Sequence, residues 1–166
     1  MKALFVIDMQ NVYIGKDHAK YFKYNRQQII SAVNKVIDDN SGNIVIYIQN
    51  FMKKNLISKL APFQAYEGTK EVELISELHI VSNLIFDKYV GDAFSNSKLN
   101  EFLKSKNIDT IEMVGIDGGG CVALTALGAI KKGYSVIINT NAIGTMLHKS
   151  KEKYFKKLRE QGAEFI

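Results

Sequence analysis

The sequence predicts a three-layer α/β/α protein, in which helices cover both faces of a mostly parallel sheet of about six strands. Apolar runs typical of strands alternate with helical patterns along the whole chain. The first run, at residues 3–7, is unbroken, which is typical of a strand buried on both faces in a parallel sheet. The segment that follows it is long enough for a helix, which implies a right-handed parallel crossover. We therefore expect residues 1–166 to form a single domain.

The first part of the chain is interpreted as strand, loop, helix and strand. Residues 13–24 are polar and aromatic without periodicity, which indicates a loop that lines a pocket. A helix follows, with Asn25 as its N-cap and Gln28 as the capping-box partner. Residues 44–49 form the second strand.

The middle of the chain carries weaker signals. Residues 50–68 contain the only proline and suggest a short helix and a loop over the sheet edge, shaping either a pocket wall or an oligomer contact. Residues 70–78 have a helical pattern, and residues 83–86 form the third strand. A helix with Ser97 as its N-cap runs to about Lys106.

The stretch at residues 110–133 is the centre of the prediction. A short buried strand is followed by the glycine-rich turn GIDGGG at residues 115–120, and a helix begins at Cys121. The remaining elements are a fifth strand at 136–138, a helix at 148–161 and a sixth strand at 163–166.

Cys121 is the only cysteine, and it lies where a strand turns into the first turn of a helix. Unpaired N–H groups and the helix dipole stabilise a thiolate there, so we expect the pKa of Cys121 to be lowered. Two other interpretations remain at this point. Most single cysteines are small buried apolar residues. The glycines also satisfy a loose dinucleotide-binding pattern, although the acidic residue that such a site needs is missing after the next strand.

Asp8 and Lys88 follow two other strands of the expected sheet. The carboxyl ends of parallel strands share one edge, where ligands bind, so Asp8, Lys88 and Cys121 should meet there. A carboxylate can accept a thiol proton and later protonate a leaving amine, while an ammonium stabilises the thiolate. Taken singly, Asp8 is equally well a turn or capping residue, and Lys88 a solvated lysine.

Composition and charge exclude several classes of function. No terminal segment has a long apolar run, so we expect neither a signal peptide nor a membrane span. The formal charge of +5 comes from scattered lysines rather than from clustered arginine with interleaved aromatics, so nucleic-acid binding is not expected. One cysteine cannot form an internal disulfide, which favours a cytoplasmic location.

Three motifs resemble those of the isochorismatase-like cysteine hydrolases, the superfamily of nicotinamidases and N-carbamoylsarcosine amidohydrolases. The run VIDMQN at residues 6–11 is similar to its amino-terminal signature. Lys88, followed by DAF at 92–94, resembles its lysine motif, which usually continues SAF. Residues 114–122 are similar to its nucleophile turn. Motif order and spacing hold across essentially the whole chain.

The resemblance implies an isochorismatase-like, Rossmann-type topology with an Asp8–Lys88–Cys121 triad. It further implies an oxyanion hole from the backbone N–H groups of Asp117 and Cys121, and a cis peptide between Ile116 and Asp117. Gln10 and Tyr13 are expected to bind a small-molecule substrate. From family habit we also expect a homo-oligomer, and we expect no cofactor.

Two departures from the family pattern stand out. Nicotinamidases carry an Asp-x-His metal motif after the second strand, where this chain has QNFMK at residues 49–53. None of its histidines has a partner at ligand spacing, so we expect no metal and no nicotinamidase activity. Where the family usually has Thr-Asp, this chain continues the glycine run at Gly118 and Gly119, which should loosen the turn.

The sequence therefore predicts a metal-independent cysteine hydrolase that cleaves a small-molecule amide through a thioester. Two alternatives stay open. One is a vinyl-ether hydrolase of the isochorismatase type, which need not use the cysteine in the same way. The other is a relative that keeps the fold and the thiol for redox sensing or ligand binding, without turnover.

Overall fold

A computed structural model describes residues 1–166, and its core is one sheet of six parallel strands in the order β3-β2-β1-β4-β5-β6. The strands are β1 Lys2–Ile7, β2 Ile44–Asn50, β3 Ile85–Lys88, β4 Thr110–Ile116, β5 Ser135–Gly144 and β6 Glu164–Phe165. The helices are α1 Asn11–Ile14, α2 Arg26–Asp39, α3 Leu56–Lys59, α4 Ser97–Ser105, α5 Cys121–Lys131 and α6 His148–Glu160. The predicted fold class is confirmed.

The central strand β1 is apolar throughout because both of its faces are buried. Ala3, Phe5 and Ile7 point into the core on one face of the sheet, and Leu4 and Val6 into the core on the other face. Helices α4, α5 and α6 cover the first face, while α1 and α2 cover the second. Both cores exclude water, so neither face of β1 tolerates polar residues.

The sheet order creates a crevice beside β1. From β1 the chain builds β2 and β3 to one side and then β4, β5 and β6 to the other. Ile7 at the end of β1 pairs with Ile48 in β2 and Gly115 in β4, so the carboxyl ends of these strands lie together. Ligands bind at such a reversal of strand order in parallel sheets.

The predicted helix at residues 70–78 is wrong. Only a short 3₁₀ turn forms, at Lys70–Val72, and the chain then continues without a helix. Its backbone bonds to the connection after β1 instead, because Glu73 O accepts from the Asn11 amide and the Ile75 amide donates to Met9 O. These long-range hydrogen bonds replace those of the helix.

Two predicted caps also differ from the structure. Asn25 precedes α2, but its side-chain amide donates to Gln28 Oε1 and does not accept from the helix backbone. Asn96, rather than Ser97, caps α4, because its side chain accepts a hydrogen bond from the Leu99 amide.

The third strand begins later than predicted, at Ile85, and ends at Lys88. None of the helices combines the length and apolar character needed to cross a bilayer.

Candidate active site

Three chain segments bring Asp8, Lys88 and Cys121 together at the carboxyl edge of the sheet. Asp8 follows β1, Lys88 ends β3, and Cys121 begins α5. Lys88 Nζ lies 2.9 Å from Asp8 Oδ2 and 3.1 Å from Cys121 Sγ. We call these three residues the polar cluster.

Lys88 is buried, with 1% of its surface exposed, and its ammonium donates three hydrogen bonds. Besides Asp8 and Cys121, it donates to Asn50 Oδ1 at 3.0 Å. An ammonium has three hydrogens, so each has an acceptor. The Lys88 side chain is therefore fixed, with the charge placed between a carboxylate and a sulfur.

Asp8 lies in the left-handed region of backbone conformation, with φ of 55°. Its amide still donates to Ile48 O of β2, so the chain turns away only after this last sheet contact. Aspartate tolerates this conformation better than most residues. One carboxylate oxygen binds Lys88, and the other, Oδ1, is buried without a hydrogen-bond donor from the chain. That oxygen is free to accept a proton.

The pKa of Cys121 is raised to about 12, which contradicts the lowered value expected from its place at a helix start. Burial is the largest cause, the nearby Asp8 carboxylate adds to it, and Lys88 only partly offsets both. The pKa of Asp8 is also raised, because its burial outweighs the effect of Lys88. For Lys88, burial disfavours the charge, but Asp8 and Cys121 outweigh it and raise its pKa. The resting cluster therefore holds a neutral thiol.

The glycine-rich turn is tight, not loose as expected. The amides of Gly118, Gly119 and Gly120 donate to Gly144 O, Asp117 Oδ1 and Asp117 O, respectively. A Cβ atom on Gly119 would lie 2.1 Å from the carbonyl oxygen of Leu147, so only glycine fits. The run of glycines lets the chain after β5 pack directly on the turn.

The Ile116–Asp117 peptide is cis, and Asp117 joins three parts of the chain. Its carboxylate accepts hydrogen bonds from Tyr24 Oη at 3.1 Å, the Gly119 amide at 2.7 Å and the Met146 amide at 2.5 Å. The Leu147 amide contributes a longer bond of 3.4 Å. Asp117 therefore fixes the turn against the loops that carry Tyr24 and Met146.

The backbone amides of Asp117 and Cys121, at the two ends of the glycine-rich turn, donate no hydrogen bond within the chain. The Val122 amide is occupied, since it donates to Asp117 O. Buried amides without a partner are rare in folded proteins. These two N–H groups are therefore available to an oxygen atom of a ligand.

A cavity of about 270 Å³ opens over the polar cluster. Asp8 and Cys121 lie at its floor. The other lining residues are Tyr13, Tyr21, Phe22, Tyr24, Asn50, Phe63, Ile116, Asp117, Gly120, Met146 and Leu147. The five aromatic rings at residues 13, 21, 22, 24 and 63, which we call the aromatic wall, pack on one another with centroid separations of 4.8–6.1 Å.

Tyr13 lies in the cavity as expected, but Gln10 does not. Gln10 is completely buried and absent from the lining. Its carboxamide donates to Val72 O and Asn50 O, and accepts from the Asn50 amide. Gln10 therefore positions the end of β2 and does not line the cavity.

Sequence reasoning missed Asn50 as a site residue. Its side chain accepts from Lys88 and donates to the hydroxyl of Tyr13 at 2.9 Å, so it links the polar cluster to the aromatic wall. Its position at the carboxyl end of the second strand was the available signal. Phe63, Met146 and Leu147 lie in loops whose patterns carried no comparable signal.

Comparison with known proteins assigns the chain to a family. The isochorismatase domain model matches residues 2–166. The chain belongs to the isochorismatase family. The isochorismatase family protein YrdC of Bacillus subtilis (strain 168), which is uncharacterised, is 26% identical over 145 residues, covering 85% of this chain and 72% of YrdC.

Two further relatives carry an activity in their names. N-carbamoylsarcosine amidase of an Arthrobacter species is 38% identical over 61 residues, covering 37% of this chain and 23% of the amidase. An isochorismatase-like hydrolase from Alkaliphilus metalliredigens has a crystal structure that superposes with a TM-score of 0.84 at 25% identity, covering 99% of this chain and 92% of that one. The chain is a hydrolase of the same family.

The residues of this isochorismatase-family chain do not fit the metal that nicotinamidases hold after the second strand. Asn50 uses its side chain on Lys88 and Tyr13, and Phe51 packs edge-on against Tyr89. Nowhere in the chain do three His, Cys, Asp or Glu side chains come together as ligands.

Proposed function

We propose that this isochorismatase-family protein is a metal-independent cysteine hydrolase that cleaves the C–N bond of a small-molecule amide. The proposal rests on one observation: a buried ammonium that contacts a carboxylate and the only thiol of the chain together, below a cavity. Asp8, Lys88 and Cys121 would form the catalytic triad.

In the first half of the reaction, Asp8 takes the thiol proton while the sulfur of Cys121 attacks the amide carbonyl. The ammonium of Lys88 touches both groups, so it neutralises the negative charge before and after the proton moves. The free N–H groups of Asp117 and Cys121 would bind the oxyanion. Protonated Asp8 then passes its proton to the leaving nitrogen, the C–N bond breaks, and a thioester remains.

In the second half, Asp8 takes a proton from water, and the resulting hydroxide attacks the thioester carbonyl. The C–S bond breaks, the carboxylic acid leaves, and the proton on Asp8 returns to the sulfur. The unpartnered oxygen of Asp8 supports its role as the base in both halves. The raised pKa keeps the resting thiol neutral, so the attack on the carbonyl needs Asp8 as a base.

The raised thiol pKa argues against the redox alternative. Sensor cysteines are thiolates at neutral pH and are exposed to oxidants. Burial and the neighbouring carboxylate keep the proton on Cys121, which gives the opposite properties. Hydrolysis uses this arrangement, since Asp8 lies beside the thiol as a base.

Intact-mass spectrometry of the protein incubated with a library of small amides tests the proposal. We expect an acyl adduct on the wild-type protein whose mass is that of the amide minus its amine. Cys121→Ala should form no adduct and lose turnover, and Asp8→Asn should lose turnover as well. The matched surface variant Asp39→Asn, whose carboxylate pairs only with Lys35, should behave as wild type.

Thermal unfolding of each variant shows whether it is folded, so that loss of activity can be interpreted. Full activity in folded Cys121→Ala would overturn the thioester route. It would favour acid–base chemistry by Asp8 alone, as in a vinyl-ether hydrolase. Reversible peroxide modification of Cys121 without hydrolysis of any amide would favour the redox alternative.

We further propose that the protein is a cytoplasmic homo-oligomer. Leu56, Ile57 and Leu60, at and beside α3, are 80–88% exposed, which is unusual for large apolar residues. The same segment supplies Phe63 to the aromatic wall. Light scattering on the eluting protein should give a multiple of 18.7 kDa, and a triple serine variant at these positions should give the single-chain mass.

A further inference from the structure

The cavity has an unusual balance of charge. Its lining includes two carboxylates, Asp8 and Asp117, and no lysine, arginine or histidine. The carboxylate of Asp8 is neutralised by Lys88, which lies behind it at 2.9 Å. Asp117 forms no ion pair. One negative charge therefore remains without a cationic partner.

The donors around Asp117 hold its carboxylate without cancelling its charge. They are the hydroxyl of Tyr24 and the backbone amides of Gly119, Met146 and Leu147, all of them neutral. The last two lie just before α6, where the amino end of the helix attracts negative charge. The negative charge is thus a fixed part of the cavity.

The aromatic wall reinforces this preference. Tyr13 and Tyr24 stay neutral, because burial first and nearby carboxylates second raise the pKa of both phenols. The faces of aromatic rings are negative and attract cations. An anion in this cavity would face the Asp117 carboxylate and the rings, and no cationic side chain is among the lining residues to bind it.

We propose that the substrate of this site is a small amide that carries no negative charge, and that carboxylate-bearing amides are rejected. That the substrate is an amide rests on the proposed function. The charge preference does not, since the charge of the cavity is independent of the reaction. A substrate whose side group is neutral or positively charged, and flat or apolar, fits the residues that line the cavity. Asp117 is the specificity-determining residue.

Cys121 permits a direct test, because it is the only cysteine and lies at the cavity floor. Three methanethiosulfonates carry a neutral methyl, a cationic 2-aminoethyl and an anionic 2-sulfonatoethyl group. Each forms a mixed disulfide as the Cys121 thiolate attacks the divalent sulfur of the reagent, whose S–S bond breaks to release methanesulfinate. Intact mass gives the rate, and division by the rate on N-acetylcysteine amide removes the intrinsic reactivity of each reagent.

We expect the normalised rate for the cationic reagent to exceed that for the anionic one by at least about tenfold at 10 mM salt. The formal charge of the whole chain, +5, would give the opposite preference, so only the cavity can produce this result. Asp117→Asn should reduce the ratio by at least about threefold, whereas Asp39→Asn should not change it.

The wild-type protein provides a second measurement if Asp117→Asn does not fold. Raising the salt to 1 M should shrink the ratio, because screening weakens the field of Asp117. Equal or faster reaction of the anionic reagent at low salt would overturn the inference. An equal reduction of the ratio in Asp39→Asn would do the same.

The proposed function and this inference can fail separately. The thiosulfonates need only a thiol and an open cavity, so their result stands even if no amide is hydrolysed. Conversely, hydrolysis of 4-carboxybenzamide with a kcat/KM equal to or above that of 4-(hydroxymethyl)benzamide would overturn the inference and leave the cysteine hydrolase in place.

Discussion

The polar cluster and the aromatic wall border the same cavity but are built in opposite ways. The cluster lies on the ends of β1 and β3 and the start of α5, and every hydrogen of Lys88 has an acceptor. The wall comes from loops and the short helix α1, and its rings contact one another without defined polar partners, apart from the hydroxyls of Tyr13 and Tyr24. The sheet therefore fixes the chemistry, while the loops set what can enter.

The largest expected effect within the cluster is on the reactivity of the thiol. With its pKa at about 12, Cys121 should hold about 10³-fold less thiolate at pH 8 than an unfolded cysteine with a pKa of about 8.5. Alkylation by iodoacetamide, followed by intact mass from pH 6 to 10, should be correspondingly slow in the native protein and fast in urea. A plateau of the native rate below pH 8 would contradict this view of the cluster.

Asp8→Asn refines the same measurement. Removing the carboxylate leaves Lys88 beside the sulfur, so the pKa of Cys121 should fall and alkylation at pH 8 should become faster. The variant should thus be more reactive toward iodoacetamide and inactive toward amides. Slower alkylation than in the wild type would show that Asp8 does not act on the thiol as proposed.

Lys88→Met should destabilise the protein by about 3–5 kcal/mol, because it leaves Asp8 buried without its cation. Burial already raises the pKa of Asp8, so the folded state holds this proton more tightly than the unfolded chain does. Without Lys88 the pKa of Asp8 should rise further, so the loss relative to the wild type should grow as pH rises above the already raised pKa that Asp8 has in the wild-type protein. Urea unfolding at several pH values measures it, with exposed Lys98→Met as the control.

Asn50→Ala tests the connection between cluster and wall. It removes one acceptor of Lys88 and the donor to Tyr13, and should cost about 1–3 kcal/mol of unfolding free energy. Asn43→Ala, at an exposed asparagine, should cost less than about 0.5 kcal/mol. Equal losses in both variants would mean that Asn50 does not couple the two regions.

The smallest effect on stability is expected in the wall. Phe63 is only half-buried, so Phe63→Ala should cost about 1 kcal/mol or less but raise KM for the amide found in the adduct screen. Phe102, also half-buried, packs on Phe86 away from the cavity. Phe102→Ala should lower stability without changing KM, and a similar KM change in both would remove the distinction.

Local patterns in the sequence determined the parallel sheet and the edge at which the site lies. The unbroken apolar run in β1 and the alternation of strands with helices suffice, because burial on two faces and parallel crossovers leave few other arrangements. The same reasoning placed Asp8, Lys88 and Cys121 at strand ends on one edge of the sheet, and the structure joins them through hydrogen bonds of 2.9 and 3.1 Å.

Only the tertiary structure decided the protonation of the thiol, the role of Gln10 and the shape of the cavity. Each depends on residues far apart in the chain. Desolvation by the whole surroundings outweighs the local helix start at Cys121, and Asn50 and Val72 occupy the carboxamide of Gln10. Contacts with the loop after β5 tighten the glycine turn. Such long-range packing leaves no periodic trace in the sequence, whereas strands and helices do.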